Sequence, residues 1–162
     1  MTAPYLNQIR LRPNCDARIR LEEIRRAIEN KFSVHTRKPA RFVPHVTLFG
    51  PYNTDRGKQA KRIVKEVLSD RYIVPYRIDG FGCFKQEKVI YANIIPSKEL
   101  RNLRREISRR LREISYNYQD YDSDLFYEFH ITIANVDSRD DFNEIVNYVS
   151  NRFQPEFNLY GI

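Results

Sequence analysis

Apolar positions along the chain switch between two spacings. Around 5–13 and 42–49 they read as alternating, whereas from 17 to 32 they recur every three or four residues as Leu21, Ile24, Ile28 and Phe32. Alternation marks a strand with one buried side, and the wider spacing marks a helix with one apolar stripe. Read through to its end, the chain predicts strands at 5–13, 42–49 and 72–83 with helices at 17–32 and 56–69 between them. The same order follows again: strand 88–95, helix 98–115, strand 126–135, helix 139–152 and strand 156–162. Leu100, Leu103, Ile107 and Leu111 form the stripe of the third helix. Ser97 and Ser138 stand where helix N-caps belong, the latter with Asp141 three residues on as a variant capping box.

The second series repeats the first at nearly one offset. IRLRP (9–13) corresponds to ANIIP (92–96), which puts Pro13 and Pro96 83 residues apart; FVPHVTL corresponds to FYEFHITI, with His45 and His130 85 apart. RIDGFG (77–82) and FNLYGI (157–162) follow at about 81. A period this long is no solenoid repeat. It predicts a single domain over 1–162 built from two copies, approximately 5–83 and 88–162, that pack about a pseudo-twofold axis.

Composition bounds the setting. The 162 residues suit one ordinary domain, and 41% apolar side chains supply a real core under a surface made polar by 30% charged residues. No apolar run is long enough to span a membrane, and MTAPYLNQIRLRP lacks the layout of a signal peptide, so a cytoplasmic protein without membrane attachment is expected. Cys15 and Cys83 are too few and too far apart for a disulfide framework or a CxxC site, and read as free thiols. A net charge of +7 and a pI near 9.5 favour a polyanionic partner without choosing among RNA, DNA and a small phosphate ester.

Taken alone, His45 on an apolar strand reads as a packing histidine. Its twin alters that reading: two of only three histidines share the pattern apolar-His-apolar-Thr-apolar, in VPHVTL and EFHITI. Residues i and i+2 of a strand share a face. His45 then lies with Thr47 and His130 with Thr132, while Val46, Leu48, Ile131 and Ile133 face the core. If the copies face each other, two imidazoles and two hydroxyls line one cleft. Such a set suits in-line displacement at a phosphodiester, one neutral histidine taking a proton and one protonated histidine giving a proton back. The hydroxyls would hydrogen-bond the non-bridging oxygens, with no metal and no cofactor required. A metal reading finds no HExxH, cysteine pair or spaced carboxylate beside either motif; GxSxG and GxxxxGK[ST] are absent as well.

These paired motifs, with QIRLRP, RFVPHVTLFGPY and GFGCFKQEKVIYANI in the same order, resemble the 2H phosphoesterase superfamily, specifically its 2′-5′ RNA ligase and RNA 2′,3′-cyclic phosphodiesterase branch. The likeness covers nearly the whole chain. It departs at Phe129, where a proline is common before the histidine, and at Asn135, where an arginine often follows. The resemblance implies an α+β bilobal duplicated fold, two antiparallel β-sheet lobes with outer helices about a central cleft. It implies hydrolysis of 2′,3′-cyclic phosphate ends of RNA or nucleotides to 2′-phosphates, and in some members reversible 2′-5′ joining. By the same match His45 and His130 are the catalytic pair, and Thr47 and Thr132 bind phosphate.

Secondary candidates are weaker. HTRKPAR (35–41) sets His35, Arg37, Lys38 and Arg41 in a loop that leads to the cleft, either a substrate loop or a solvated basic one. The helix SKELRNLRREISRRLREI reads chiefly as a solvated basic face, and SYNYQDYDSD (115–124) as a surface loop packed on its own tyrosines. The rival of another class is a non-catalytic RNA-binding module, since DGFGCFKQ (79–86) shares Gly80, Phe81 and Gly82 with an RNP1 signature. Asp79, Cys83 and Gln86 break that pattern, and the rival gives no reason for twinned His-x-Thr pairs. The expectation is a monomeric, metal-independent enzyme acting on RNA or nucleotides with cyclic phosphate ends.

Overall fold

A computed structural model describes residues 7–32, 43–70, 74–123, 126–136, 141–153 and 158–161. Its elements run β1 (Asn7–Leu11), α1 (Cys15–Phe32), β2 (Val46–Tyr52), α2 (Gly57–Leu68), β3 (Tyr76–Phe84), β4 (Val89–Pro96), α3 (Lys98–Arg112), β5 (His130–Asn135), α4 (Phe142–Phe153) and β6 (Asn158–Gly161). The fold class is α+β with antiparallel strand pairing, and every predicted element is present within a few residues. Several ends differ, β3 starting at Tyr76, β5 at His130 and α3 ending at Arg112, and two further shifts have local reasons. Asn14 Oδ1 accepts the Ala17 N–H at 3.0 Å, a cap that starts α1 at Cys15 rather than 17. Pro44 has no N–H to give a ladder, and β2 begins only at Val46. Ser97 caps α3 as predicted, accepting from the Leu100 N–H at 3.1 Å; Ser138 lies outside the described residues.

Contacts divide the chain into two compact units, each drawing on both halves of the sequence. The first comprises residues 1–11, 47–75 and 96–128, and thus holds β1, most of β2, α2 and α3. Here α2 packs on α3, and Ala60, Ile63 and Val67 of the one and the stripe of Leu100, Leu103, Ile107 and Leu111 of the other are buried. Burial of each large aliphatic side chain contributes about 1.5 to 3 kcal/mol.

The second unit comprises residues 12–46, 76–95 and 129–162. Its sheet runs in the order β5, β4, β3, β6, with Val46 of β2 paired to Ile131 on the outer side of β5. α1 packs on β5 and α4, and α4 on β3. Leu21, Ile24 and Ile28 of α1 join Ile145 and Val149 of α4 and Ile78, Ile90, Ile131 and Ile133 of the strands, none more than 1% exposed.

The first unit also ties down the far end of β2. Gly50 has φ +96, and a Cβ there would lie 2.8 Å from the Asn7 carbonyl oxygen, so only glycine fits. Its N–H donates to both carboxylate oxygens of Asp122 at 3.1 Å, while its carbonyl accepts from Tyr121 Oη at 3.2 Å. Asp122 is 1% exposed, in a short 3-10 turn at Asp120–Ser123 inside the segment that reads as surface loop. Burial pushes its carboxyl pKa above the ordinary range, opposed by the N–H donors of Gly50 and Gln119 and by the charges of Arg104 and Arg112. Arg104 is itself buried, donating to the Tyr121 carbonyl at 2.6 Å with its guanidinium 3.7 Å from the Tyr127 ring centroid. Tyr121 packs on Tyr127, just beyond this segment, at 5.8 Å, whereas Tyr118 packs on Phe49 at 6.1 Å and the Tyr116 hydroxyl donates to Asp55 at 3.1 Å.

Two stability predictions follow from these groups. Asp122→Ala strands the N–H groups of Gly50 and Gln119 and leaves Arg104 unbalanced; urea titration is expected to show a loss of about 2 to 4 kcal/mol. Tyr76 is 4% exposed, its buried hydroxyl has no hydrogen-bond partner among the described residues, and burial pushes its pKa up to about 12 from 10. A folded-state pKa raised in this way leaves stability level below pH 10 and makes it fall as pH rises through 12. Tyr76→Phe is expected to gain about 1 kcal/mol at pH 7 and to lose that alkaline decline. Equal slopes for both proteins in denaturation between pH 9.5 and 12 would refute it.

Candidate active site

The Val46–Ile131 pair is the reference point for both motifs. His45 precedes Val46 on one strand and His130 precedes Ile131 on the other. Because the strands are antiparallel, those two steps run in opposite directions. The histidines therefore sit diagonally across the ladder, with Cβ atoms roughly 7 Å apart. In the same register His45 is level with Thr132. Neighbouring side chains alternate between faces, so Val46 and Ile131, both 0% exposed, point into the core of the second unit. His45, His130 and Thr132 point the other way and are half-buried.

The two imidazoles are held differently. His45 Nδ1 lies 2.8 Å from the Val43 carbonyl oxygen. A carbonyl can only accept, so Nδ1 carries the hydrogen in that contact. His130 instead sits among rings: Phe84 at 5.1 Å and 84°, and Tyr91 at 5.2 Å and 53°. Those two rings contact each other at 4.4 Å. Gly82 makes room for them, since a Cβ there would lie 2.5 Å from the Tyr91 ring. β4 supplies this wall through its register with β5, Tyr91 opposite Thr132 and Asn93 opposite His130.

A β-bulge changes the strand beyond the motif. Ile90 pairs with Ala134 but Tyr91 with Thr132, which leaves Ile133 as the extra residue. Ile133 and Ala134 are both buried, and the shift brings Asn135, opposite Val89, onto the face of Thr132 and His130. Strict alternation would have put Asn135 on the other face.

Thr47 belongs to the first unit and is two residues beyond His45 along the chain. Its Oγ1 accepts a hydrogen bond from Gln8 Nε2 of β1 at 3.1 Å. Arg37, Lys38 and Arg41, together with His35, lie outside the described residues. Cys15 and Cys83 are free thiols. Among the described residues no three His, Cys, Asp or Glu side chains gather in a metal-binding group, and no helix is long and apolar enough to cross a membrane.

Gln8, Phe84, Tyr91 and the Val43 carbonyl are absent from the set that the motifs suggest. The repeat held a signal for two of them. At the 83-residue offset of the proline anchors, Gln8 corresponds to Tyr91, each beside the threonine of its own motif.

Chemically, the face of the second unit offers two imidazoles and a hydroxyl, a set that moves protons and donates hydrogen bonds to anionic oxygens. No curated protein matches the chain. Residues 11–161 match the model of the 2′-5′ RNA ligase superfamily. With the match spanning nearly its whole length, the chain belongs to the 2′-5′ RNA ligase superfamily, enzymes of the phosphoesterase and ligase kind.

Proposed function

We propose that the protein hydrolyses 2′,3′-cyclic phosphate ends of RNA or nucleotides to 2′-phosphates, with His45 and His130 as the acid and base and Thr47 and Thr132 as phosphate binders. One observation carries the reading: the pairing of Val46 with Ile131 turns His45 and His130 toward the same side of an antiparallel ladder. In the reaction one imidazole takes a proton from water as its oxygen attacks phosphorus in line with O3′. The P–O3′ bond breaks, and the second imidazole, entering protonated, gives its proton to O3′. A 2′-phosphate and a free 3′-hydroxyl remain, and the two histidines have exchanged protonation states. Replacing water by the 5′-hydroxyl of another RNA gives 2′-5′ joining with the same bonds broken, and the reverse step runs through the same groups.

The duplicated reading of 5–83 and 88–162, in two lobes about a pseudo-twofold axis, has support in the helix pairs. Under that correspondence α1 answers to α3 and α4 to α2, and α1 packs on α4 as α3 packs on α2. A basic surface supports an RNA partner. Together α2 and α3 carry eleven basic and three acidic side chains, a net +8 that exceeds the +7 of the whole chain. Arg37, Lys38 and Arg41 remain the proposed substrate loop, and the protein is taken to act as a monomer in the cytoplasm with no metal or cofactor.

The test is a short RNA ending in a 2′,3′-cyclic phosphate, incubated in chelator. Turnover to a 2′-phosphate is expected, with a bell-shaped rate profile about neutral pH. His45→Ala and His130→Ala should each lower kcat by about a thousandfold or more. A requirement for added metal, or near-normal rates in both variants, would overturn the mechanism. RNA binding without any change at the RNA end would favour a binding module instead.

A further inference from the structure

The Thr47 hydroxyl has a side-chain partner of fixed orientation. Gln8 Oε1 accepts from Arg10 Nε at 2.6 Å, and Gln8 Nε2 lies 3.1 Å from Thr47 Oγ1. An arginine guanidinium only donates. The amide oxygen of Gln8 must therefore face Arg10, and its NH2 group must face Thr47. Thr47 Oγ1 is then the acceptor in that contact, and its own O–H is left to be donated elsewhere. Gln8 and Arg10 are i and i+2 on β1, so both reach this chain from one face of the strand. All three residues belong to the first unit.

The corresponding places in the other copy are filled otherwise. At the 83-residue offset Gln8 answers to Tyr91 and Arg10 to Asn93, which lie opposite Thr132 and His130 in the register of β4 and β5. The threonine of the first motif thus has a donor chain ending in a positive charge, and that of the second has an aromatic neighbour.

We propose that Gln8, oriented by Arg10, is a positioning residue that holds Thr47 as a hydrogen-bond donor to the phosphate of the substrate. The inference rests on the phosphoesterase reading above. A donor aimed in advance at a non-bridging oxygen gains strength as charge builds on it in the transition state, so its loss appears in kcat more than in KM. The positive charge of Arg10 polarises the amide and strengthens the bond passed on to Thr47.

The experiment is a double-mutant cycle on the RNA cyclic phosphate. Gln8→Leu is expected to lower kcat about ten- to a hundredfold with KM changed less than about threefold. Gln8→Glu keeps the size of the side chain and its contact with Arg10 but is acceptor-only, so it accepts a hydrogen bond from the Thr47 O–H, turns that donor away from the phosphate and should lose at least as much. Once Thr47 is Ala, Gln8→Leu should add less than about twofold. Independent losses that multiply, or a Gln8→Glu variant as active as the wild type, would overturn the proposal. Thermal melting of each variant separates a positioning defect from misfolding, because Gln8→Glu alters no packing volume. Should the wild-type protein leave the cyclic phosphate intact, the phosphoesterase reading falls and this inference with it; turnover with multiplied losses removes the inference alone.

Discussion

The candidate site depends first on the pairing of Val46 with Ile131. Side chains alternate along a strand, so a slip of one residue in this register would turn one His-x-Thr motif into the core and leave the other outside. Such a slip is opposed by the apolar residues of the same strands. Val46, Ile131 and Ile133 are buried to 0% exposure, and exchanging them with histidine and threonine would bury polar groups and expose aliphatic ones. The core of the second unit therefore sets the direction of His45 and His130. Packing energy and chemistry are two readings of one alternation.

Around that register the two motifs are furnished unequally. His45 has a backbone carbonyl at Nδ1, and Thr47 has the amide of Gln8 with Arg10 behind it. His130 has Phe84 and Tyr91 about it, fitted over the missing side chain of Gly82. A reaction that needs one acid and one base at the same moment gains from such inequality. One imidazole is held by a backbone carbonyl and the other by aromatic rings, so the two are not interchangeable.

Much of this was legible in the chain. Periods of two and of three to four carry the order of the described strands and α-helices, and the repeated His-x-Thr singles out both histidines. What stayed hidden depends on pairing between distant residues. The bulge at Ile133 exists only against β4, and the aromatic wall needs Gly82 and Tyr91 brought together from two strands. Asp122 and Arg104 misled for a related reason. Polar segments read as solvated, yet Asp122 is buried to meet the N–H of Gly50, and Arg104 is buried under Tyr127 on a helix otherwise rich in exposed basic residues such as Lys98, Arg101, Arg105 and Arg109.

The bulge has one further meaning for how the two copies are compared. Up to Thr132, counting residues from the histidine also counts positions in space, so VPHVTL and EFHITI can be laid over each other letter by letter. Past Ile133 the count runs one ahead of the geometry. Asn135 is an odd number of residues from Thr132 and still shares its face, so beyond Ile133 the parity of a residue number no longer tells which side of the strand its side chain takes.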